Sequence, residues 1–164
     1  MISEFEMTIL EILAEDARTD ADRIAVMTGK SKEEVEEAIS RLEKERILLK
    51  YPAMVNWDRV REDVVQALIE VRVTPQRDEG FDAIAEKIYR FEEVKSVYLM
   101  SGAYDLLVIV EGANIKQLAI FVGEKLSTLE NVLSTATHFV LKKYKQDGVI
   151  MEKTAEDDRL QVSP

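Results

Sequence analysis

Residues 98–112 read YLMSGAYDLLVIVEG, and this stretch decides the fold of the second half of the chain. Two apolar runs of strand length flank the polar segment Ser101–Asp105. Gly102 lets that segment turn sharply or lie close to a ligand, because glycine adopts backbone angles that other residues avoid. The pattern predicts two strands joined by a loop that ends in a carboxylate. Two interpretations stay open here: an ordinary hairpin turn stabilised by Asp105, or a small polar pocket suited to a zwitterion.

The flanking sequence extends these two strands into a complete domain. Apolar and β-branched runs predict four strands, Val64–Val73, Val94–Met100, Leu106–Glu111 and Val132–Leu141. One helix is predicted between the first two strands, and another before the last, with an inward face of Ile115, Leu118, Ala119, Val122 and Leu126. The order β-α-β-β-α-β predicts a ferredoxin-like antiparallel sheet with both helices on one face. The uncovered face carries enough apolar surface to predict oligomerisation.

The first 48 residues have a different pattern, that of three short helices. Residues 3–6 (SEFE) and 31–34 (SKEE) are capping boxes, in which a serine and a glutamate satisfy each other's backbone amides at a helix start. Gly29 ends the second helix by accepting a left-handed conformation. This outline predicts a helix-turn-helix, although three-helix bundles that bind no DNA share it.

Two segments resemble the Lrp/AsnC family of feast/famine transcription regulators. The run GAYDLLVIVEG is similar to the glycine–x–tyrosine–aspartate strand pair of that family's ligand-binding domain, often called RAM. Ser31–Leu48 matches the family's third helix and the turn after it without gaps, most closely at Arg41–Glu45. The resemblance extends from Met1 to about Lys142 and is weakest at Glu33–Glu37. It implies an α+β protein with an N-terminal winged helix-turn-helix and a C-terminal ferredoxin-like βαββαβ sandwich.

We therefore predict four regions. Residues 1–48 form the DNA-binding domain, 49–63 a hinge strand and linker, 64–142 the effector-binding and oligomerisation domain, and 143–164 a tail. Leu48 and Leu49 are expected to begin a connecting strand, which the resemblance implies pairs with its twin in a dimer. In the tail, Asp147-Gly148 is a turn signal and residues 149–151 are candidates for a short extra strand.

The resemblance also implies two sets of site residues. The predicted DNA contacts are Lys30, Ser31, Lys32, Ser40, Arg41 and Lys44. The predicted effector contacts are Met100, Ser101, Gly102, Ala103, Tyr104, Asp105, Ser134, Thr135 and Thr137. Hydroxyl groups and backbone N–H groups can hold an α-carboxylate, and the Asp105 carboxylate can pair with an ammonium group. An amino acid is therefore the expected effector, and double-stranded DNA and further copies of the chain are the expected partners.

The charge of the chain argues against this interpretation. Its net charge is −10, and residues 1–50 contain 8 basic and 13 acidic side chains. A nucleic-acid-binding protein normally presents a basic face, because contacts to phosphate supply most of the sequence-independent affinity. An alternative function is therefore a ligand-binding oligomer whose acidic helical domain contacts protein instead of DNA.

Other function classes have little support in the sequence. Cysteine is absent, His138 is the only histidine, and the carboxylates show no recognisable metal spacing, so no catalytic or metal site and no cofactor is predicted. The resemblance leaves a haem-precursor decarboxylase of related architecture as a less favoured alternative. No apolar run approaches the roughly 20 residues that cross a bilayer, and the N-terminus lacks a signal-like segment. We expect a cytoplasmic protein with no membrane partner.

Overall fold

The computed structural model describes residues 1–60, 64–75 and 80–151. The chain divides into two compact units, Met1–Val55 and Asn56–Pro164. No helix in the described ranges is both long enough and apolar enough to cross a membrane.

The N-terminal unit contains three helices, α1 (Glu4–Glu15), α2 (Ala21–Thr28) and α3 (Lys32–Lys44). Both predicted capping boxes are present at the starts of α1 and α3. Asp20 caps α2 by accepting from the Arg23 amide, and Gly29 ends that helix with a φ of 68°. The buried faces of the three helices form one core, made of Ile9, Leu13, Ile24, Ala25, Val35, Ala38 and Leu42.

The connecting segment differs from the prediction. Leu48 and Leu49 were expected to begin a strand, but residues 48–56 contain no strand. A strand exists only when another strand satisfies its backbone N–H and C=O groups. The predicted partner is the same segment of a second chain, which a single chain cannot provide. The segment instead leads into one 3₁₀ turn at Trp57–Arg59, where the Trp57 side chain is 45% exposed.

The C-terminal unit has the predicted ferredoxin-like order. Its elements are β1 (Val65–Val73), α4 (Asp82–Tyr89), β2 (Val94–Leu99), β3 (Leu106–Gly112), α5 (Ile115–Ile120) and β4 (Val132–Phe139). The four strands pair antiparallel in the order β2-β3-β1-β4. Strand β1 therefore lies between β3 and β4, although these strands are far apart in sequence.

Side-chain alternation separates the two faces of this sheet. On β1, Ala67, Ile69, Val71 and Val73 are buried, and their paired residues on β3 include Val108 and Val110. These side chains form the core with α4 and α5. The other face, called the outer face below, carries Leu68, Glu70 and Arg72 of β1 and the residues paired with them.

Helix α5 of the C-terminal unit buries a different set of residues from the predicted inward face. Ile115 is 56% exposed and Ala119 is also exposed, whereas Leu118, Phe121 and Leu126 are buried. The cause is a π-helical continuation of α5 over Phe121–Leu126, which widens the turns and lengthens the repeat of the buried face. Phe121, which the regular helical spacing did not single out, contacts Phe91 edge-to-face at 5.4 Å between ring centroids.

The tail begins with a small hairpin, β5 (Lys145–Gln146) and β6 (Val149–Ile150). The predicted turn at Asp147-Gly148 is present, and both residues have positive φ, 45° and 83°. Positive φ at both central residues is the signature of a type I′ hairpin turn. The hairpin is attached to the unit through Asn56, whose Nδ2 donates to the Met151 carbonyl at 3.0 Å.

Candidate functional site

The loop between β2 and β3 is closed by Asp105. The Asp105 carbonyl accepts from the Met100 amide at 2.8 Å, and the Asp105 amide donates to the Val71 carbonyl at 3.1 Å. The Asp105 carboxylate also has a partner, because its Oδ2 accepts from the Val73 amide at 2.9 Å. Asp105 therefore extends the hydrogen bonding between β3 and β1 beyond the first residue of β3. This geometry corresponds to the stabilised-turn interpretation, and no residue in the described ranges bonds to Oδ1.

Strand β4 brings its hydroxyl groups to the same end of the sheet. Ser134 pairs with Arg72 and Thr135 pairs with Val71, next to the backbone groups that hold Asp105. Thr137 pairs with Ile69, two residues or about 7 Å further along the strand. The fold therefore brings Ser134 and Thr135 close to the loop in register, and it sets Thr137 further away.

The hydroxyl groups do not all lie on one face. Thr135 and Thr137 are paired with buried residues of β1, so they lie on the face that carries the helices. The Thr135 hydroxyl is 3.2 Å from the hydroxyl of Ser127, just after the π-helical turn. Ser134 is exposed on the outer face instead. Of these three hydroxyl-bearing residues of β4, Ser134 is therefore the one that shares the outer face with Arg72.

Gly102 lies in a bend, as the sequence allows, but it does not use the backbone angles that are specific to glycine. Its φ lies outside the positive region, and a Cβ atom added there would meet no atom within 4 Å. Ser101, Gly102 and Ala103 are exposed, whereas Tyr104 is half-buried. Nothing within the described part of this chain requires glycine at position 102, because the space beside its α-carbon is open.

Sequence reasoning missed one residue at this end of the sheet, Arg72. Its Nε donates to the Ala103 carbonyl at 2.9 Å, so a side chain of the central strand holds the middle of the loop. Alternation along β1 places Arg72 on the outer face. The strand order was also needed to find it, because only the pairing of β1 with β3 brings Arg72 beside a loop 31 residues away.

The predicted DNA-contacting residues lie at the start and on the exposed side of α3. Ser31 is the N-cap of α3, and its hydroxyl accepts from the Glu34 amide. Ser40 and Lys44 are exposed. The remaining three residues are basic, and all three form ion pairs.

Those ion pairs join the basic residues to carboxylates of the same unit. Lys32 Nζ is 2.8 Å from Asp22 on α2, and Lys30 Nζ is 3.2 Å from Glu34. Arg41 is paired with Glu6, whose side chain is only 6% exposed. The hydrogen bond from Lys32 to Asp22 raises the pKa of the lysine. The Ser31 amide, followed by Lys30, lowers the pKa of Glu34.

A concave surface lies between α5 and the loop before β2. It is a cleft of about 330 Å³ lined by Glu93, Asn114, Lys116, Gln117, Ile120, Phe121 and Lys125. Lys125 Nζ is 2.6 Å from Glu93, which lowers the pKa of that carboxyl. The ammonium also lies about 5.9 Å and 5.8 Å from the ring centroids of Phe91 and Phe121. Since the Lys125 ammonium is already engaged by Glu93 and the two rings, we interpret the cleft as a product of helix packing and not as a ligand site.

The chain matches known proteins over both units. The family model described as the Lrp/AsnC ligand binding domain matches residues 66–150. The uncharacterized HTH-type transcriptional regulator YugG of Bacillus subtilis is 51% identical over 164 residues, which is 99% of each chain. The chain belongs to the Lrp/AsnC family. The family resemblance read from residues 31–48 and 98–112 is thereby confirmed.

A more distant relative is also named as a transcriptional regulator, and two solved structures share the fold. The proline dehydrogenase transcriptional activator of Rhizobium radiobacter is 28% identical, with 90% of this chain and 94% of that one covered. Escherichia coli AsnC has a TM-score of 0.69 at 23% identity, over 93% of this chain and 99% of that one. The regulator NMB0573 of Neisseria meningitidis, solved in complex with L-Met, has a TM-score of 0.71 at 22% identity, over 91% and 96%. The chain is a transcriptional regulator of the helix-turn-helix type with a ligand-binding domain.

Proposed function

We propose that this Lrp/AsnC regulator binds double-stranded DNA through α2 and α3, and that a free amino acid bound at the β2–β3 loop controls that activity. One observation supports the effector site most strongly. Strand β1 brings the loop Met100–Asp105 to the same end of the sheet as the hydroxyl groups of Ser134 and Thr135. An amino acid is favoured as the class of effector because this loop combines exposed backbone groups with a carboxylate. The L-Met complex of the Neisseria relative agrees with that choice.

The ion pairs of the N-terminal unit bear on DNA binding. Lys30, Lys32 and Glu34 are about half exposed, and the Asp22 side chain is 68% exposed. Water screens exposed pairs of this kind, so they contribute little to stability and a phosphate group can replace the carboxylate at small cost. We propose that Lys30, Ser31, Lys32, Ser40, Arg41 and Lys44 form the DNA-binding surface.

A homodimer or larger oligomer would compensate for the acidic charge of the domain. Linking several weak DNA contacts raises the overall affinity without a strongly basic site on any one copy. The outer face of the sheet offers an interface, since Leu68, Leu107 and Ile109 remain half-exposed there and Tyr98 is 50% exposed. An effector controls such an assembly only if it binds one assembly state more tightly than another.

The DNA-binding part is tested by titrating a fragment of the gene's own upstream region across a series of salt concentrations. Phosphate contacts predict that the logarithm of the binding constant falls linearly with the logarithm of salt. The ion pairs also give a reason for the second candidate function, an acidic domain that contacts protein. Lys30, Lys32 and Arg41 already have carboxylate partners within the unit, so they are not free cations. Absence of DNA binding even at low salt would favour that candidate.

The effector part is tested by thermal unfolding in the presence of each of the twenty amino acids. A molecule that binds only the native state must raise its stability, by about 2.7 kcal/mol at a concentration of 100 Kd. We expect one amino acid, or a chemically related group of amino acids, to raise the Tm.

The relatives are named as transcriptional regulators, so we also propose a non-enzymatic, cytoplasmic role. Turnover of a tetrapyrrole substrate would contradict that role.

A further inference from the structure

Arg72 and Asp105 bring opposite charges to the same loop. Asp105 contacts the backbone of β1 at Val71 and Val73, the two residues that flank Arg72. Arg72 contacts the loop at Ala103, two residues before Asp105. The guanidinium and the carboxylate therefore lie at one end of the sheet, each held by a hydrogen bond of 2.9 Å. Among the described residues, these bonds use Nε of the guanidinium and Oδ2 of the carboxylate.

Neither charge has an ion-pair partner in the part of the chain that the structure describes. Within residues 1–60, 64–75 and 80–151, Arg72 forms no ion pair with any carboxylate. Glu70, which precedes it on the outer face, is directed to His138 instead, at 3.4 Å. An exposed guanidinium with its two terminal nitrogens unused is a fork that matches the two oxygens of a carboxylate.

A zwitterion fits this arrangement of charges. An α-amino acid carries a carboxylate and an ammonium group on one carbon atom, and this end of the sheet offers the cation of Arg72 and the anion of Asp105. Ser134, which pairs with Arg72 on the outer face, adds a hydroxyl donor beside the guanidinium. The open space at Gly102 leaves room for a ligand next to the loop backbone.

We propose that the guanidinium of Arg72 binds the α-carboxylate of the amino-acid effector, while Asp105 binds its ammonium group. This assignment rests on the proposed function, and it adds a residue that determines the class of ligand. It predicts that the protein distinguishes an amino acid from its α-carboxamide, which keeps the side chain and the ammonium group but has no negative charge. Losing a charge-assisted hydrogen bond of this kind corresponds to a tenfold to hundredfold lower affinity.

The experiment compares the twenty amino acids with their α-carboxamides as ligands, by thermal shift and then by calorimetric titration. Titrations are run at about pH 6, below the usual α-amino pKa of roughly 7.7–8.0, so that both ligand forms carry the ammonium group. The wild type is compared with Arg72→Gln, which removes the positive charge but keeps an N–H donor for the Ala103 carbonyl. The matched control is Arg90→Gln, which removes one exposed arginine charge from the same unit.

The expected result is a tenfold to hundredfold preference of the wild type and of Arg90→Gln for the acid over the amide. In Arg72→Gln that preference should disappear, with affinity for the amide unchanged. A preference that persists in Arg72→Gln would overturn the assignment and leave the proposed function in place. An equal loss of acid and amide binding would also overturn it, since Arg72 would then act only by holding the loop. If no amino acid binds the wild type, the proposed effector class itself is wrong.

Discussion

At the scale of the residue, Asp105 has a structural part and a ligand-binding part that substitutions can separate. Asp105→Ala removes the acceptor of the amide of Val73, a buried residue, and leaving such a group unsatisfied costs about 1–3 kcal/mol. Asp105→Asn keeps an acceptor oxygen for that amide and removes only the charge. We expect urea unfolding to show a loss of about 1–3 kcal/mol for the Ala variant and less than half of that for the Asn variant.

The same two variants separate the roles in ligand binding. Calorimetry of the stabilising amino acid should show a tenfold to hundredfold lower affinity for Asp105→Asn, because a charge-assisted bond to the ammonium group is lost. Unchanged affinity in the folded Asn variant would mean that Asp105 only closes the turn.

The sequence placed Asp105 correctly at the start of a strand. It could not show the bond to Val73 or the role of Arg72, because both depend on which strand lies beside β3.

At the scale of the element, α3 carries cations whose partners are carboxylates of its own unit. Asp22→Asn releases Lys32, and Glu34→Gln releases Lys30 while keeping an amide oxygen for the Ser31 amide. Each change also removes one negative charge from the proposed DNA-binding surface. We expect both variants to bind non-specific DNA more tightly and to show a salt slope steeper by about one unit, measured by fluorescence anisotropy.

A control for this effect is Glu11→Gln, which removes an exposed charge from α1, where no DNA contact is proposed. If Glu11→Gln raises the DNA affinity as much as Asp22→Asn does, the change in net charge is responsible and the release of the ion pairs is not.

The capping boxes of α1 and α3 were predictable because they depend on residues three apart. The ion pair between Lys32 and Asp22 was not, because it joins two helices across a turn.

At the scale of the whole molecule, the outer face of the sheet is the proposed interface between copies. Leu68 lies near its centre, paired with Ile109 on one side and His138 on the other. Leu68→Glu would place a charge in an apolar interface, and we expect sedimentation velocity to show a smaller species. Ile115→Glu is the matched control, because Ile115 is 56% exposed on α5, away from the outer face. The same size for both variants and the wild type would contradict this interface.

The order of elements in the ferredoxin-like unit was predictable from apolar periodicity alone. The missing connecting strand and the altered face of α5 were not. A strand requires a pairing partner, and the π-helical turn breaks the regular spacing on which the prediction of the buried face depended. Both differences come from interactions that a local sequence pattern does not contain.

The most direct test of the central claim is the DNA affinity of the wild type with and without a saturating amount of the amino acid that raises its Tm. Coupling between an effector site and a DNA site is typically 1–3 kcal/mol, or about 5-fold to 150-fold in affinity. We predict a change in the Kd for the upstream fragment within that range. Little change is expected for Asp105→Asn at an amino-acid concentration equal to the wild-type Kd for that amino acid, where a variant that binds it tenfold to hundredfold more weakly is largely unoccupied. An amino acid that stabilises the wild type but leaves its Kd for DNA unaltered would contradict the account.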